Sequence, residues 1–159
     1  MLKDKRSRKI AIVAHCILNQ NSRVFGLAER SSAIAEIVEF LILNDMGIIQ
    51  MPCPELTYAG ILRKSQTKNQ YGDAKFRKHC KKIAEENVEQ IQEYSKGKIK
   101  TRIIIGVDGS PSSGITDSGI LIEELRSMLK KKRFTVPFYG IRYERLSEDL
   151  NNLEKMIRD

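Results

Sequence analysis

A run of three β-branched residues, Ile103 to Ile105, leads directly into a turn rich in glycine and serine, and it constrains the fold more than any other stretch. A short apolar run of this kind is typical of a strand covered on both faces, as in a parallel sheet. Pro111 lacks an N–H group, so the strand has to end before it. Asp117 and Ser118 are good N-cap residues, and we predict that a helix begins there.

Apolar spacing predicts the same alternation of strands and helices along the rest of the chain. Strands are predicted at 9–15, 48–51, 103–105 and 135–141, and helices at about 31–45, 73–95, 118–133 and 146–157. The alternation favours a parallel sheet with right-handed crossovers and helices on both faces. At 159 residues the chain has the size of one domain. We therefore predict a single α/β domain over 1–159, three-layered and Rossmann-like or flavodoxin-like, with a frayed basic N-terminus at 1–8 and a long loop before Gly72.

Composition bears on compartment and partners. Three cysteines, an odd number, in a chain without a recognisable export signal predict a cytoplasmic protein with no disulfide framework. No apolar run has the length needed to cross a bilayer. The net charge is +8, with cations grouped at 3–9, 63–82 and 130–133. A solvated basic surface accounts for these groups, and RNA or an anionic nucleotide is the alternative partner.

Two cysteines follow predicted strands, at the edge where the loops of a parallel sheet converge. Cys16 comes after the first strand, and Cys53 comes after the second, between two prolines and directly before Glu55. A lone cysteine in such a place is most often a small buried hydrophobe. Two on adjacent loops favour a metal site or thiol chemistry. Ser110 and Ser113, after the third strand, are expected to line the same pocket.

The third cysteine, Cys80, lies on an apolar stripe of a predicted helix, so we expect it in the core. His15 and His79 each adjoin a cysteine, but no spacing matches a zinc finger or a zincin. A zinc site made of Cys16, Cys53, a histidine and water is one alternative for the strand-end cysteines.

Three motifs at predicted strand ends resemble those of a known family. They are AHCILNQNSRVFGLA (14–28), QMPCPELTYAG (50–60) and IIGVDGSPSSG (104–114). Together they resemble the thiouracil desulfidase (TudS) family of small cytoplasmic iron–sulfur proteins, along most of the chain. The resemblance implies removal of sulfur, as sulfide, from a thiolated pyrimidine, whether a free base, a nucleotide or a tRNA base. It also implies a 4Fe-4S cluster with one open iron, whose three ligand positions match Cys16, Cys53 and Ser113.

The resemblance also implies roles for two other polar residues. Glu55 would be the acid/base carboxylate, and Ser110 would position the substrate or assist proton transfer. Two further roles follow from side-chain chemistry: the amides of Asn19 and Asn21 suit a pyrimidine edge, and Tyr58 suits stacking on the ring. The structural alternatives are a loop carboxylate, a turn hydroxyl and loop-stabilising asparagines.

The chain departs from the family at Ser113, where a hard hydroxyl replaces a thiolate. Three explanations follow: two cysteines and a substitute ligand hold the cluster, the cluster is weak, or this branch has given up cluster chemistry. The last explanation predicts a cluster-less, non-catalytic module that binds a nucleotide or RNA in the same pocket.

Overall fold

The computed structural model describes residues 3–158, which form a four-stranded, all-parallel sheet with helices on both faces. The strands are β1 (Lys9–Ala14), β2 (Gly47–Met51), β3 (Lys100–Val107) and β4 (Phe138–Ile141). The helices are α1 (His15–Leu18), α2 (Ala35–Leu43), α3 (Pro54–Ala59), α4 (Lys68–Tyr71), α5 (Ala74–Lys96), α6 (Ile120–Lys131) and α7 (Leu146–Ile157). The predicted single α/β domain of Rossmann-like or flavodoxin-like type is confirmed.

The two central strands are apolar enough to be covered on both faces. Ala11, Ile12 and Val13 of β1 are fully buried, and so are residues 103–105 of β3. α2 packs against α7 on one face of the sheet, and α5 packs against α6 on the other. Right-handed crossovers put α2 and α5 on opposite faces, because the chain moves outward from β1 to β2 and then back across β1 to β3.

That reversal of direction determines where a ligand is expected to bind. In the strand order β2-β1-β3-β4, the switch point lies between β1 and β3. Ligands of open α/β sheets bind in the crevice at the carboxyl ends of the strands on either side of such a point. The segments that carry Cys16, Cys53 and residues 110–113 all begin at this edge.

The prediction of a long loop before Gly72 is wrong, because the structure contains two short helices there. α3 begins with Pro54 at its first position, where the missing N–H costs no hydrogen bond. α4 begins with a capping box in which Thr67 and Gln70 satisfy each other's backbone N–H groups.

Several predicted boundaries shift by a few residues. α6 begins at Ile120 with Gly119 as its N-cap, later than the predicted caps Asp117 and Ser118, because the preceding turn closes by a bond from the Gly119 N–H to the Gly114 carbonyl. α2 begins at residue 35 rather than 31, and β4 begins only after Pro137.

Other parts of the prediction concern the chain ends and the core. Residues 3–8 lie outside any helix or strand and are exposed, while the first two residues of the predicted frayed segment lie outside the described residues. Cys80 is fully buried in the core, as predicted. Over residues 3–158, none of the helices combines the length and apolar character required to span a bilayer.

Candidate active site

A cavity of about 280 Å³ lies at the carboxyl edge of the sheet. It is lined by the segments that follow β1, β2 and β3, by the loop at 63–66 and by Tyr143 after β4. The structure brings the five predicted pocket residues, Cys16, Cys53, Glu55, Ser110 and Ser113, to this cavity, and His15, a histidine open to the zinc alternative, lines it as well.

A carboxylate held by two hydroxyls is the best-defined polar group in the cavity. The Ser112 hydroxyl donates to Glu55 Oε2 at 2.6 Å, and the Ser110 hydroxyl lies 3.5 Å from the same oxygen. Among residues 3–158, no hydrogen bond to Glu55 Oε1 is formed. The carboxylate is therefore held through one oxygen, and the other is left to accept a proton.

The turn after β3 is built to present these hydroxyls. The Ser110 Oγ accepts the backbone N–H groups of Ser112 at 3.3 Å and Ser113 at 3.1 Å, so it organises the turn as well as contacting Glu55. Asp108 closes the next part of the turn, because its carboxylate accepts the N–H groups of Ile115 and Thr116. Burial acts to raise the pKa of Asp108, but the Thr116 hydroxyl and these two N–H groups together lower it below its ordinary value.

Both thiols of the cavity are held in their neutral form. Burial raises the pKa of Cys16 to about 11, with the Arg23 guanidinium acting in the opposite direction. Burial also raises the pKa of Cys53, although its sulfur accepts the Leu56 N–H at 3.4 Å. The Cys53 thiol also contributes to the raised pKa of Cys16, so the two thiols interact electrostatically. At neutral pH both side chains are protonated thiols.

Two arginines and a tyrosine complete the lining, and the sequence did not single them out as site residues. Arg23 donates to the Tyr143 hydroxyl at 3.2 Å and lies over its ring, 5.2 Å from the centroid. Arg63 is fixed by the carbonyls of Ser22, at 2.8 Å, and Gly60, at 3.1 Å. Tyr143 follows the end of β4, so the strand-end rule applied to the fourth strand would have found it. Both arginines come from loops, and no local signal marks them.

Asn19, Asn21 and Tyr58 do not line the cavity. Asn19 caps a 3₁₀ turn by accepting the N–H and the side-chain amide of Asn21, each at 3.1 Å, so the two amides stabilise the loop. The Tyr58 ring packs edge-on against Phe76, 5.2 Å between centroids, and beside His79. The loop-stabilising alternative therefore accounts for the two asparagines, and Tyr58 does not stack on a ligand inside this cavity.

The donor set does not match a cluster held by three thiolates. Iron–sulfur clusters are held by cysteine thiolates, and the cavity supplies two sulfurs and the Ser113 hydroxyl. Ser113 is 7% exposed, and its hydroxyl already accepts the Val107 N–H at 3.5 Å. Within 3–158, no group of three or more His, Cys, Asp or Glu side chains is placed to hold a metal ion. The third ligand that the family pattern requires is thus missing from the side chains themselves.

Comparison with known proteins finds a relative that matches nearly the whole chain. The uncharacterized protein MJ0003 of Methanocaldococcus jannaschii is 42% identical over 158 residues, which covers 96% of this chain and 99% of that protein. No protein-family model matches the chain, and no solved structure matches it.

Proposed function

The chain belongs to the same family as the archaeal protein MJ0003, and we propose that it is a desulfidase that hydrolyses the carbon–sulfur bond of a thiolated pyrimidine. The observation that carries the proposal is the Glu55 carboxylate, held by Ser112 at 2.6 Å in a cavity that also contains two thiols and two guanidinium groups. The three strand-end motifs support the same chemistry by their resemblance to the thiouracil desulfidases.

The size of the cavity suits this substrate class. Its volume of about 280 Å³ lies just below the range of drug-sized ligand pockets, which begins at roughly 300 Å³. A single pyrimidine ring with one exocyclic sulfur is a ligand of that size. In the reducing cytoplasm that the cysteine usage predicts, both thiols stay available to it.

The reaction needs only water as a second reactant. Glu55 Oε1 accepts a proton from water while the water oxygen bonds to the thiocarbonyl carbon. Glu55 returns this proton to the sulfur, and the carbon–sulfur bond breaks with its electron pair on sulfur, which leaves as HS⁻. The hydroxyl proton that remains on the former thiocarbonyl carbon then passes through Glu55 to HS⁻, which leaves an oxo group on the carbon. One water is consumed, one hydrogen sulfide leaves and the base keeps an oxo group, so no oxidant or reductant is required.

The rest of the cavity stabilises the negative charge that develops on sulfur. The guanidinium groups of Arg23 and Arg63 are fixed by contacts with Tyr143 and with backbone carbonyls before substrate binds. Preorganised cations of this kind stabilise a transition state without reorganising during the reaction. The neutral thiols of Cys16 and Cys53 supply weak S–H donors beside them.

Glu55→Gln tests the proposal directly, because the amide keeps the shape of the side chain and removes the base. We expect sulfide release from 4-thiouracil to fall by about 10²- to 10⁴-fold. Glu86→Gln, an exposed carboxylate in the second half of α5, is the matched control and should leave the rate unchanged.

The experiment also separates the main alternative. If the parent releases no sulfide from any thiolated pyrimidine but binds a nucleotide, the chain is a non-catalytic binding module. If Glu55→Gln releases sulfide as fast as the parent, the assigned role of Glu55 is wrong.

A further inference from the structure

The long helix α5 has a basic first half and an acidic second half. Lys75, Lys78, Lys81 and Lys82 are exposed in the first half. The exposed carboxylates follow in the second half, at positions 85, 86, 89 and 93. A helix face that is exposed only to water usually mixes the two signs of charge. In α5 the signs are separated, so positive charge is concentrated in the first half of the helix.

The four lysines are not engaged by neighbouring carboxylates. Among the ion pairs within 3–158, none includes Lys75, Lys78, Lys81 or Lys82. Arg77, on the same segment, is paired with two glutamates of α6. The lysine ammonium groups are therefore free to meet an external anion.

These lysines border a groove that also offers aromatic rings. The groove has a volume of about 1070 Å³, and Tyr58 and His79 lie in its lining together with the lysines. The Tyr58 side chain is 43% exposed although its ring is supported by Phe76. A positively charged groove with an accessible aromatic ring is how proteins bind single-stranded nucleic acid, through phosphate contacts and base stacking.

The groove lies next to the candidate active site. Thr57 of α3 shares a hydrogen bond with His79 of α5, with 2.6 Å between Oγ1 and Nε2. α3 begins at Pro54, and its first turn carries Glu55 in the cavity. Tyr58 follows Glu55 by three positions, about 4.5 Å along a helix. The same short helix, α3, therefore carries Glu55 in the cavity and Tyr58 in the groove.

We propose that the groove along the first half of α5 binds the phosphate backbone of single-stranded RNA, and that the bound strand presents its thiolated base to the cavity. The binding of RNA in the groove is argued from the lysines and Tyr58, whereas the presentation of the base to the cavity rests on the proposed function. The surface also assigns a role to Tyr58: it stacks on a base of the docked strand, outside the cavity.

The test compares two triple variants with the same change of charge. Lys75→Gln/Lys78→Gln/Lys82→Gln removes three cations from the groove. Lys130→Gln/Lys131→Gln/Lys132→Gln removes three exposed cations at the end of α6, on the opposite edge of the sheet. The probe is a fluorescent 20-nucleotide oligouridylate that contains one 4-thiouridine, and both binding and sulfide release are measured across a salt series.

We expect the groove variant to bind the oligonucleotide at least about tenfold more weakly, with a logarithmic salt slope reduced by roughly 0.7 for each lost phosphate contact. The control should stay within about twofold of the parent. Sulfide release from the oligonucleotide should fall in the groove variant, while release from free 4-thiouracil should not change, because the cavity is intact. Tyr58→Leu should weaken binding without altering the salt slope.

Other outcomes separate the two proposals. Equal affinity of the parent and the groove variant for the oligonucleotide, or lysine-dependent binding to anionic lipid vesicles and not to RNA, would overturn the RNA surface. Equal sulfide release from oligonucleotide and free base in all three proteins would overturn the presentation of the base and leave the desulfidase intact. Lysine-dependent RNA binding with no sulfide from any substrate would overturn the proposed function and support the docking surface.

Discussion

Ser112 and Ser113 are neighbours in sequence, but their hydroxyls have different partners. Ser112 donates to Glu55, whereas Ser113 accepts the N–H of Val107 at the end of β3. Both are almost fully buried. One serine therefore belongs to the proton-transfer group, and the other stands where the family pattern places a sulfur ligand.

Ser113→Cys should restore the third thiolate of that pattern. Sulfur in place of oxygen is nearly isosteric, and the turn is held by the Ser110 and Asp108 bonds rather than by the Ser113 hydroxyl alone. As it stands, the chain should hold a 4Fe-4S cluster weakly or not at all. After anaerobic reconstitution with iron and sulfide, we expect Ser113→Cys to carry more iron and acid-labile sulfide than the parent, measured by metal analysis and visible absorption.

Ser112→Cys is the control for that experiment, because it adds a thiol one residue away on the same turn. If Ser113→Cys and the parent carry equal amounts of cluster, position 113 is not a ligand position. A colourless Ser113→Cys would favour the non-catalytic binding module if neither it nor the parent releases sulfide. Zinc found by the same metal analysis in the parent would support the zinc alternative.

The end of β3 shows how an element sets the geometry of the site. At Gly106 the strand passes so close to the turn that a Cβ would overlap the Ser113 carbonyl oxygen. The missing side chain therefore lets the turn at 108–116 fold back against its own strand, which brings Ser110 and Ser112 over the cavity.

Gly106→Ala should displace this turn. The added methyl meets backbone, which cannot rotate away, so we expect a loss of about 1–3 kcal/mol in the free energy of unfolding and a lower rate of sulfide release. Gly47→Ala is the control, because its Cβ would make only an ordinary contact of 3.5 Å with Ile10. Equal urea midpoints for the two variants would contradict the close approach.

The strand ends and the helices α5 and α7 were predictable, because their signals are local: apolar periodicity in both helices, and the Asp73 cap and the stop at Gly97 in α5. The convergence of parallel strand ends also predicted that the candidate residues after β1, β2 and β3 would line one cavity. α3 and α4 were missed although Pro54 and the Thr67 capping box are local signals too. Arg23 and Arg63 were not predictable, because their positions depend on how two loops meet.

At the scale of the whole molecule, charge and sulfur are distributed in opposite ways. The net charge of +8 is carried by exposed side chains, which leaves the basic groove accessible. The cysteines are drawn inward: Cys80 is fully buried, and Cys16 and Cys53 are partly covered in the cavity. The thiols therefore stay neutral in the folded protein, and this makes the stability of the fold depend on pH in the alkaline range.

Burial raises the pKa of Cys80 to about 12 and that of Cys16 to about 11, from an ordinary value of 9.0. In the unfolded chain these thiols lose their protons near pH 9, whereas the folded protein keeps them to higher pH. Between these values the unfolded state binds fewer protons, so the free energy of unfolding falls as pH rises. The stabilising contribution is fully present below pH 9.

Cys80→Ala removes one of these titrating thiols. It should lower the free energy of unfolding at pH 7 and make that free energy less dependent on pH in the alkaline range. At pH 7 we expect the free energy of unfolding to drop by about 1 kcal/mol, because a buried side chain is truncated, with sulfide release unchanged. Between pH 8 and 10.5 the variant should lose less stability than the parent, by on the order of 1 kcal/mol, since the buried thiol no longer titrates.

Ile83→Val, on the same buried stripe of α5, is the control for this prediction. It truncates the core without removing a titrating group, so its loss of stability at alkaline pH should match that of the parent. Urea unfolding across this pH range measures all three proteins, and parallel curves for Cys80→Ala and the parent would show that the Cys80 thiol does not couple folding to pH.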